Sequence, residues 1–402
     1  MQRRELLKAL GCTGLASASA LRNLSFAAQS RSTLVVVFLR GGADSLHMAA
    51  PVTDRYYLAN RPSDLRIGDG TAGTPNAGLR LPKEFAAQQD CRIHPAAAPL
   101  MDLFQSGHAQ LLHACGLANA TRSHFVAQEI LESSALHQES LMASTPGWIA
   151  PFVHPSVAGR GVDFVATSAG QIRSLRGLSS GMSLVGELRN GLNLPGDALG
   201  KSVLQALYAN SPSNPVADPV RQVGQQTLQQ LALVDSKIAR VDGRTAPYTA
   251  PKGVSYNTEN HDWQHAVQTV AQLIRMDVGL QVACLDLGGW DTHENQSGKL
   301  NNLVRQWSTN LRALFDDVQA AGKHTTIVVV SEFGRRLRAN ASGGTDHGHA
   351  GIVWALDTQA RGLLPSTLWP GLATEQLDQG MDLQHTRDVK QVLADVAKRV
   401  LA

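Results

Sequence analysis

Hydrophobic positions along this chain follow two rhythms. Six consecutive apolar residues, Leu34 to Leu39 in "STLVVVFLRGGADS", stop at glycines and predict a strand buried on both faces. Similar runs recur at "AQLLHACGL", "LQVACLDLGG", "TTIVVVSEFG" and "GIVWALD". Helical spacing of apolar residues fills the intervals: "HPAAAPLMDLFQSG", "SHFVAQEILESSALH", "DWQHAVQTVAQLIRMDV" and "LNNLVRQWSTNLRALFDDVQAAG", the last stopped by Gly322. Buried strands alternating with amphipathic helices predict an α/β fold, a doubly wound and mostly parallel sheet with helices on both faces.

Two stretches depart from the alternation. "RRELLK", the uncharged "ALGCTGLASASAL" and the small residues of "SFAAQS" read as a twin-arginine signal peptide over residues 1–28. Its apolar part is too short and weak for a stable membrane span. The expected location is therefore periplasmic or secreted, with residues 29–402 as the mature domain. Residues 179–260 hold two helical patterns separated by "SPSNPVADP" and are read as a helical insertion or cap.

Charge changes the picture only once the leader is set aside. The whole chain carries +3, and Arg3, Arg4, Lys8 and Arg22 against Glu5 account for all of it. The mature chain is near neutral, with no basic stripe to track phosphates, so nucleic acid is not an expected partner. Cys12 lies in the leader, and the three remaining cysteines allow one disulfide at most, for which Cys91 with Cys115 is the candidate. Cys284 sits in an apolar strand pattern and reads as a buried small hydrophobe.

In open α/β sheets ligands bind beyond the carboxyl ends of the strands. The polar, glycine-rich segments fall there: "RGGADS", "ANATRSH", "GGWDTHE", "SEFGRR" and "GGTDHGH". Asp291 and His293 follow two glycines and can face one cation from a turn, although Asp, Thr and Asn are also ordinary turn formers. Glu332 ends an apolar run, where it can be a ligand or can close the loop by pairing with Arg335 or Arg336. Ser123 or Thr121 stands before a helix, as a plain N-cap or as a hydroxyl beside an anion, with His124 next to it. Asp346, His347 and His349 lie among the glycines of the last segment.

These motifs together resemble the exported "domain of unknown function 1501" proteins, relatives of the alkaline phosphatase and sulfatase superfamily. The resemblance runs through "LVVVFLRGGADSL", "LHACGL", "RSHFVAQE", "GGWDTHENQ", "SEFGRRLRANASGGTDHGHAG" and "RDVKQVLADV". It implies divalent metal (Zn, Mn or Ca, one or two ions) at the carboxyl edge of the sheet, with a nucleophile at a helix start. Carried over by position, it implies Asp44, Asp291, His293, Glu332, Asp346 and His347 as metal ligands, with His349 as a further candidate. Ser123 would complete the set as nucleophile; His124, which the residues leave open as a ligand, an acid or a helix-surface residue, is expected to be catalytic with Ser123 and Arg40. Two positions depart from the superfamily pattern: Arg40 stands where the first metal-binding Asp is usual, and Glu332-Phe333 where an Asp-His pair is frequent. An arginine in a metal's coordination shell repels the cation, so Arg40 is expected to hold the substrate anion, or one metal is missing.

The resulting expectation is an exported metal-dependent hydrolase of a small anionic phosphate or sulfate ester, with Arg40 or Arg122 steadying its oxygens. The competing expectation is a catalytically inactive binding or assembly protein on the same fold. A secreted oxidoreductase has less behind it, because "GGADS" lacks the G-x-G-x-x-G spacing of dinucleotide sites.

Overall fold

The computed structural model describes residues 32–71, 76–82, 90–153, 161–168, 172–178, 181–191, 197–209, 219–366 and 368–401. The signal-peptide reading of residues 1–28 lies outside them. An eight-stranded sheet is built from β1 (Thr33–Leu39), β2 (Ala109–Gly116), β3 (Phe164–Ala166), β4 (Gly181–Ser183), β5 (Val282–Leu287), β6 (Thr325–Val330), β7 (Gly351–Asp357) and β8 (Arg387–Asp388). The strand order across it is β8-β2-β7-β6-β1-β5-β3-β4. β1 lies at the centre, parallel to both β5 and β6, with β3 and β4 continuing parallel on one side.

Alternate residues of β1 enter different cores, which is why its sequence reads as an unbroken apolar run. Val35, Val37 and Leu39 face a cluster shared with helices α4 (His261–Arg275) and α5 (Gln296–Ala320). Leu34, Val36 and Phe38 face the opposite cluster, with α1 (His124–Glu132) and α6 (Val389–Leu401). The 25-residue α5 ends as expected, with Gly322 at φ 66° just past it. "HPAAAPLMDLFQSG" departs from a plain helix: Pro95 and Pro99 leave a 3-10 turn over Pro95–Leu100 before the short α-helix Met101–Gln105. Two further helices, α2 (Asp197–Ala209) and α3 (Pro219–Lys237), match the two helical patterns of the 179–260 stretch. No helix among the described residues is long and apolar enough to cross a membrane.

One strand runs against the others. β7 is antiparallel to both neighbours, β6 and β2, so it begins at the edge where β1, β2, β5 and β6 end. No helix separates β6 from β7. The intervening chain instead folds into an antiparallel ribbon of Arg335–Ala339 with Thr345–His347, on the carboxyl edge of the sheet. Close approach packs these edge segments on the turn after β5: a Cβ on Gly344 would sit 2.3 Å from the backbone of His293, and one on Gly41, in the loop after β1, would sit 2.4 Å from the nitrogen of Asp291.

Cys91, Cys115 and Cys284 are free and buried, so Cys91 and Cys115 do not pair. Burial pushes both of those thiols up to about 12.

Helix α1 is anchored at its far end by a single amine. Lys390 Nζ donates to the carbonyls of Ile130, Ser133 and Ala135 at 2.5–2.6 Å, tying α6 to the last turn of α1. Lys390→Met removes a charged donor from three carbonyls. It should lower the stability by about 1–3 kcal/mol, read from urea unfolding against the wild type.

Candidate metal centre

Three imidazoles converge on the carboxylate of Asp291. His293 Nε2 lies 3.0 Å and His347 Nε2 3.2 Å from Asp291 Oδ1, and His124 Nε2 lies 3.4 Å from Oδ2. The Nε2 atoms of His293 and His347 are 2.9 Å apart. His124 is placed by the start of α1, Asp291 and His293 by the turn after β5, and His347 by the end of the ribbon. These are the groups on "RSH", "GGWDTHE" and "GGTDHGH", brought together as the carboxyl-edge argument requires.

The partners of the opposite ring nitrogens decide what these imidazoles can do. His347 Nδ1 faces the carbonyl of Arg122 at 2.7 Å, and a carbonyl only accepts, so this nitrogen carries the proton. Nδ1 of His124 donates to Glu332 Oε1 at 2.8 Å, and Nδ1 of His293 to Asp346 Oδ1 at 3.2 Å. In its neutral form each ring therefore aims its Nε2 lone pair at Asp291. His124 Nε2 is buried without a hydrogen-bond donor to satisfy it. Lone pairs at 2.9 Å beside a carboxylate oxygen repel unless a proton or a cation lies among them.

A tetrahedral cation with bonds of about 2.0–2.1 Å sets neighbouring ligand atoms about 3.3 Å apart, and the spacings of 2.9–3.4 Å fall around that value, measured to Oδ1 of Asp291 for His293 and His347 and to Oδ2 for His124. The Nδ1–H to carboxylate or carbonyl bonds supply the orienting partners that such ligands need. His124, Asp291 and His347 meet the spacing of a metal-holding group, and His293 adjoins them.

Four residues expected in the site do other work. Glu332 is not beside the lone pairs. Its Oε1 accepts from His124, from the Gly41 N–H at 2.9 Å and from Gln128 Nε2 at 2.8 Å, and Oε2 accepts from Ser331 Oγ. Burial raises its pKa, but those donors outweigh it and hold the carboxyl at about 2. Asp346 likewise serves His293, and Asn340 steadies it at 3.1 Å. Asp44 is fully buried and does not reach these three imidazoles: Arg61 grips both its oxygens at 2.6 and 3.0 Å, and Gln296, the Leu46 N–H and the Thr345 hydroxyl also donate to it. His349 has no free nitrogen, since Nε2 faces the Leu117 carbonyl and Nδ1 faces Asp378.

The arginines are also committed. Arg40 Nη1 and Nη2 bind Glu132, Nη2 also reaches Asp286 at 2.9 Å, and the guanidinium lies over the Phe38 ring. Arg122 binds Asp382 and Gln379. Arg335 pairs with Asp291 at 2.5 Å, not with Glu332. Burial opposes the charge of Asp291, yet Arg335 and His347 draw its pKa down to about 2. Phe333 packs on the rings of both His124 and His347, with centroids 4.9 Å away in each case. Ser123 occupies the N-cap of α1, and its hydroxyl makes no capping bond.

Sequence reasoning missed Gln128, Asn340, Asp378 and Asp382. None of the four sits in a pattern that announces a role: Gln128, Asp378 and Asp382 act through contacts distant in sequence, and Asn340 through Asp346 within the same loop.

Comparison with known proteins places these residues in context. A family described as "Protein of unknown function (DUF1501)" matches residues 31–362. No curated protein matches the chain. Among solved structures, the C-terminal periplasmic domain of EcEptC from Escherichia coli, in complex with Zn, is 9% identical, with 82% of this chain and 73% of that chain covered and a TM-score of 0.34. The alkaline phosphatase from the Antarctic bacterium TAB5 is 8% identical, covering 92% of this chain and 99% of that chain at a TM-score of 0.32. A 2-O GAG sulfatase is 10% identical, covering 92% and 71% at 0.30. Likeness at this level leaves the site to be judged by its own geometry.

Glu332 gives the site a sign in acid. Its folded pKa of about 2 lies below the ordinary 4.5, so its stabilisation is complete above pH 4.5 and is lost as pH falls toward 2. At full strength the contribution is about 3 kcal/mol. Glu332→Gln should lower stability at pH 7 and flatten the acid limb of stability against pH, measured by denaturant unfolding at closely spaced pH values.

Proposed function

The chain belongs to the DUF1501 family, whose function is not known, and from the geometry of the site we propose that it is an exported metal-dependent hydrolase of phosphate or sulfate esters. The observation that carries this reading is the convergence of three Nε2 lone pairs on Asp291, with every Nδ1 already donated to an oxygen. His124, His347 and Asp291 would hold one divalent ion, with His293 beside His347. Imidazole nitrogens with one carboxylate oxygen suit zinc best, and calcium, which takes oxygen ligands, least. A divalent ion bound there supplies a Lewis acid that polarises an ester oxygen and lowers the pKa of a nearby hydroxyl.

The chain's own groups provide the rest. Ser123 presents an uncapped hydroxyl directly before His124, and is the proposed nucleophile. The backbone N–H groups of the first turn of α1 point from the same helix start and can receive ester oxygens. Glu332 and Asp346 keep His124 and His293 aimed, while Arg40 and Arg122 are held by acids and take no part in binding the anion. The side chains of Asp291 and His293 are 47% and 41% exposed, so a substrate can reach the site from solvent.

The same occupied arginines favour a second reading, an exported binding or assembly protein that keeps one structural ion. Asp291→Ala separates the two. The variant loses stability under either reading, because buried Arg335 loses its carboxylate; under the hydrolase reading it also loses turnover, and under the binding reading no turnover exists to lose.

Elemental analysis of gently purified protein should find a bound divalent ion, removed by a chelator. A panel of phosphomonoesters, phosphodiesters and sulfate esters should show turnover, reduced by about 100-fold or more in His347→Ala. A metal-free protein inactive on all three ester classes sinks the hydrolase reading.

A further inference from the structure

Two of the segments that meet in the metal centre are fastened to one turn far along the chain. Asp378 and Asp382 close this turn through paired backbone bonds, the N–H of each donating to the carbonyl of the other. Backbone bonds attach its flank to the ribbon and to β7: the Leu337 N–H donates to the Met381 carbonyl, and the Ala350 N–H to the Leu383 carbonyl. The turn lies beyond residues 31–362, the span matched by the family.

Both of its acids reach toward the site. Asp382 is fully buried, and its Oδ2 accepts from Arg122 Nε at 3.0 Å and from Arg122 Nη2. Gln379 accepts from the same guanidinium, so the Arg122 side chain is held at both ends of the turn. The carbonyl of Arg122 is the acceptor that keeps the proton on Nδ1 of His347. Asp378 Oδ2 meets His349 Nδ1 at 3.0 Å, and the other nitrogen of His349 meets the Leu117 carbonyl at 2.8 Å. His349 thereby joins the segment after β2 to the segment before β7, two residues from His347.

We propose that the 378–382 turn is a positioning clamp, in which Asp382, through Arg122, sets the tautomer and aim of His347, and Asp378 holds the same segment through His349. Neither acid touches substrate or the reacting atoms. Loss of the clamp frees the Arg122 carbonyl to move, and His347 is then no longer obliged to present Nε2 to the ion. This inference rests on the cation reading of the site.

Cobalt(II) tests it without an activity assay, since the visible absorption of the bound ion reports its ligand geometry. The full mature chain, stripped by chelator, is titrated with Co2+ as wild type, Asp382→Asn, Arg122→Gln and the double variant. Each single variant should bind about 10- to 100-fold more weakly with an altered spectrum. The double variant should bind no more weakly than the worse single, because both act through one contact. If Asp382→Asn does not fold, Arg122→Gln carries the same test at a partly exposed side chain. Wild-type affinity and spectrum in the folded variants overturn the clamp, and so does a lowered melting temperature with both unchanged. Failure of the wild type to bind Co2+ brings down the cation reading itself, and the clamp with it.

Discussion

The contact on which the site depends is the one between Asp291 and Arg335. Arg335 is completely buried, and a buried guanidinium is costly unless its donors are all met. Its Nε binds the Gly42 carbonyl, Nη1 the Thr345 carbonyl, and Nη2 the carbonyls of Gly41 and Trp290 together with Asp291 Oδ1. Those acceptors come from the loop after β1, the turn after β5 and the ribbon. One side chain thus obliges three separate segments to share a position, and the carboxylate at their junction is the one on which the imidazoles converge.

Around this junction the acids divide by partner. Asp44 and Asp291 each face a buried guanidinium, from Arg61 and Arg335, while Glu332 and Asp346 face imidazole Nδ1 atoms. The division has a physical basis. A carboxylate matched by arginine is neutralised within the protein, so Asp44 is left no capacity for an ion. Asp291 differs because its second oxygen points toward His124 and half of its side chain stays exposed. It therefore remains available to an external cation while still being held in place.

The antiparallel insertion of β7 explains why the ribbon can contribute at all. Were β7 parallel, a crossover of a dozen or more residues would have to carry the chain back to the opposite edge. Reversal lets the chain stay at the carboxyl edge between β6 and β7, and that stay is spent in the ribbon bearing Arg335, Asp346 and His347. Glycine is needed where the ribbon presses on the β5 turn, at Gly344, for want of room for a Cβ. The glycines of "GGTDHGHAG" thus serve tight packing as well as turning.

Much of this was legible in residue order. Unbroken runs such as "LVVVFL" and "TTIVVV" declare strands buried on both faces, because a two-sided core leaves no polar alternation. The glycine-rich polar segments after those runs mark the binding edge, and they do contain His124, Asp291, His293 and His347. What residue order leaves open is which acid meets which base. Glu332 and Asp346 read like Asp291 in sequence, since each is a carboxylate in a polar, glycine-containing segment beyond a strand. Their distinction comes from angles and distances of a few tenths of an ångström, set by contacts between residues as far apart as Gly41 and Glu332 or Arg122 and Asp382. Local pattern determines where strands stop and polar groups collect, because it acts through near neighbours and burial. Only the tertiary structure decides which nitrogen keeps its lone pair, because that depends on an oxygen delivered from elsewhere in the chain.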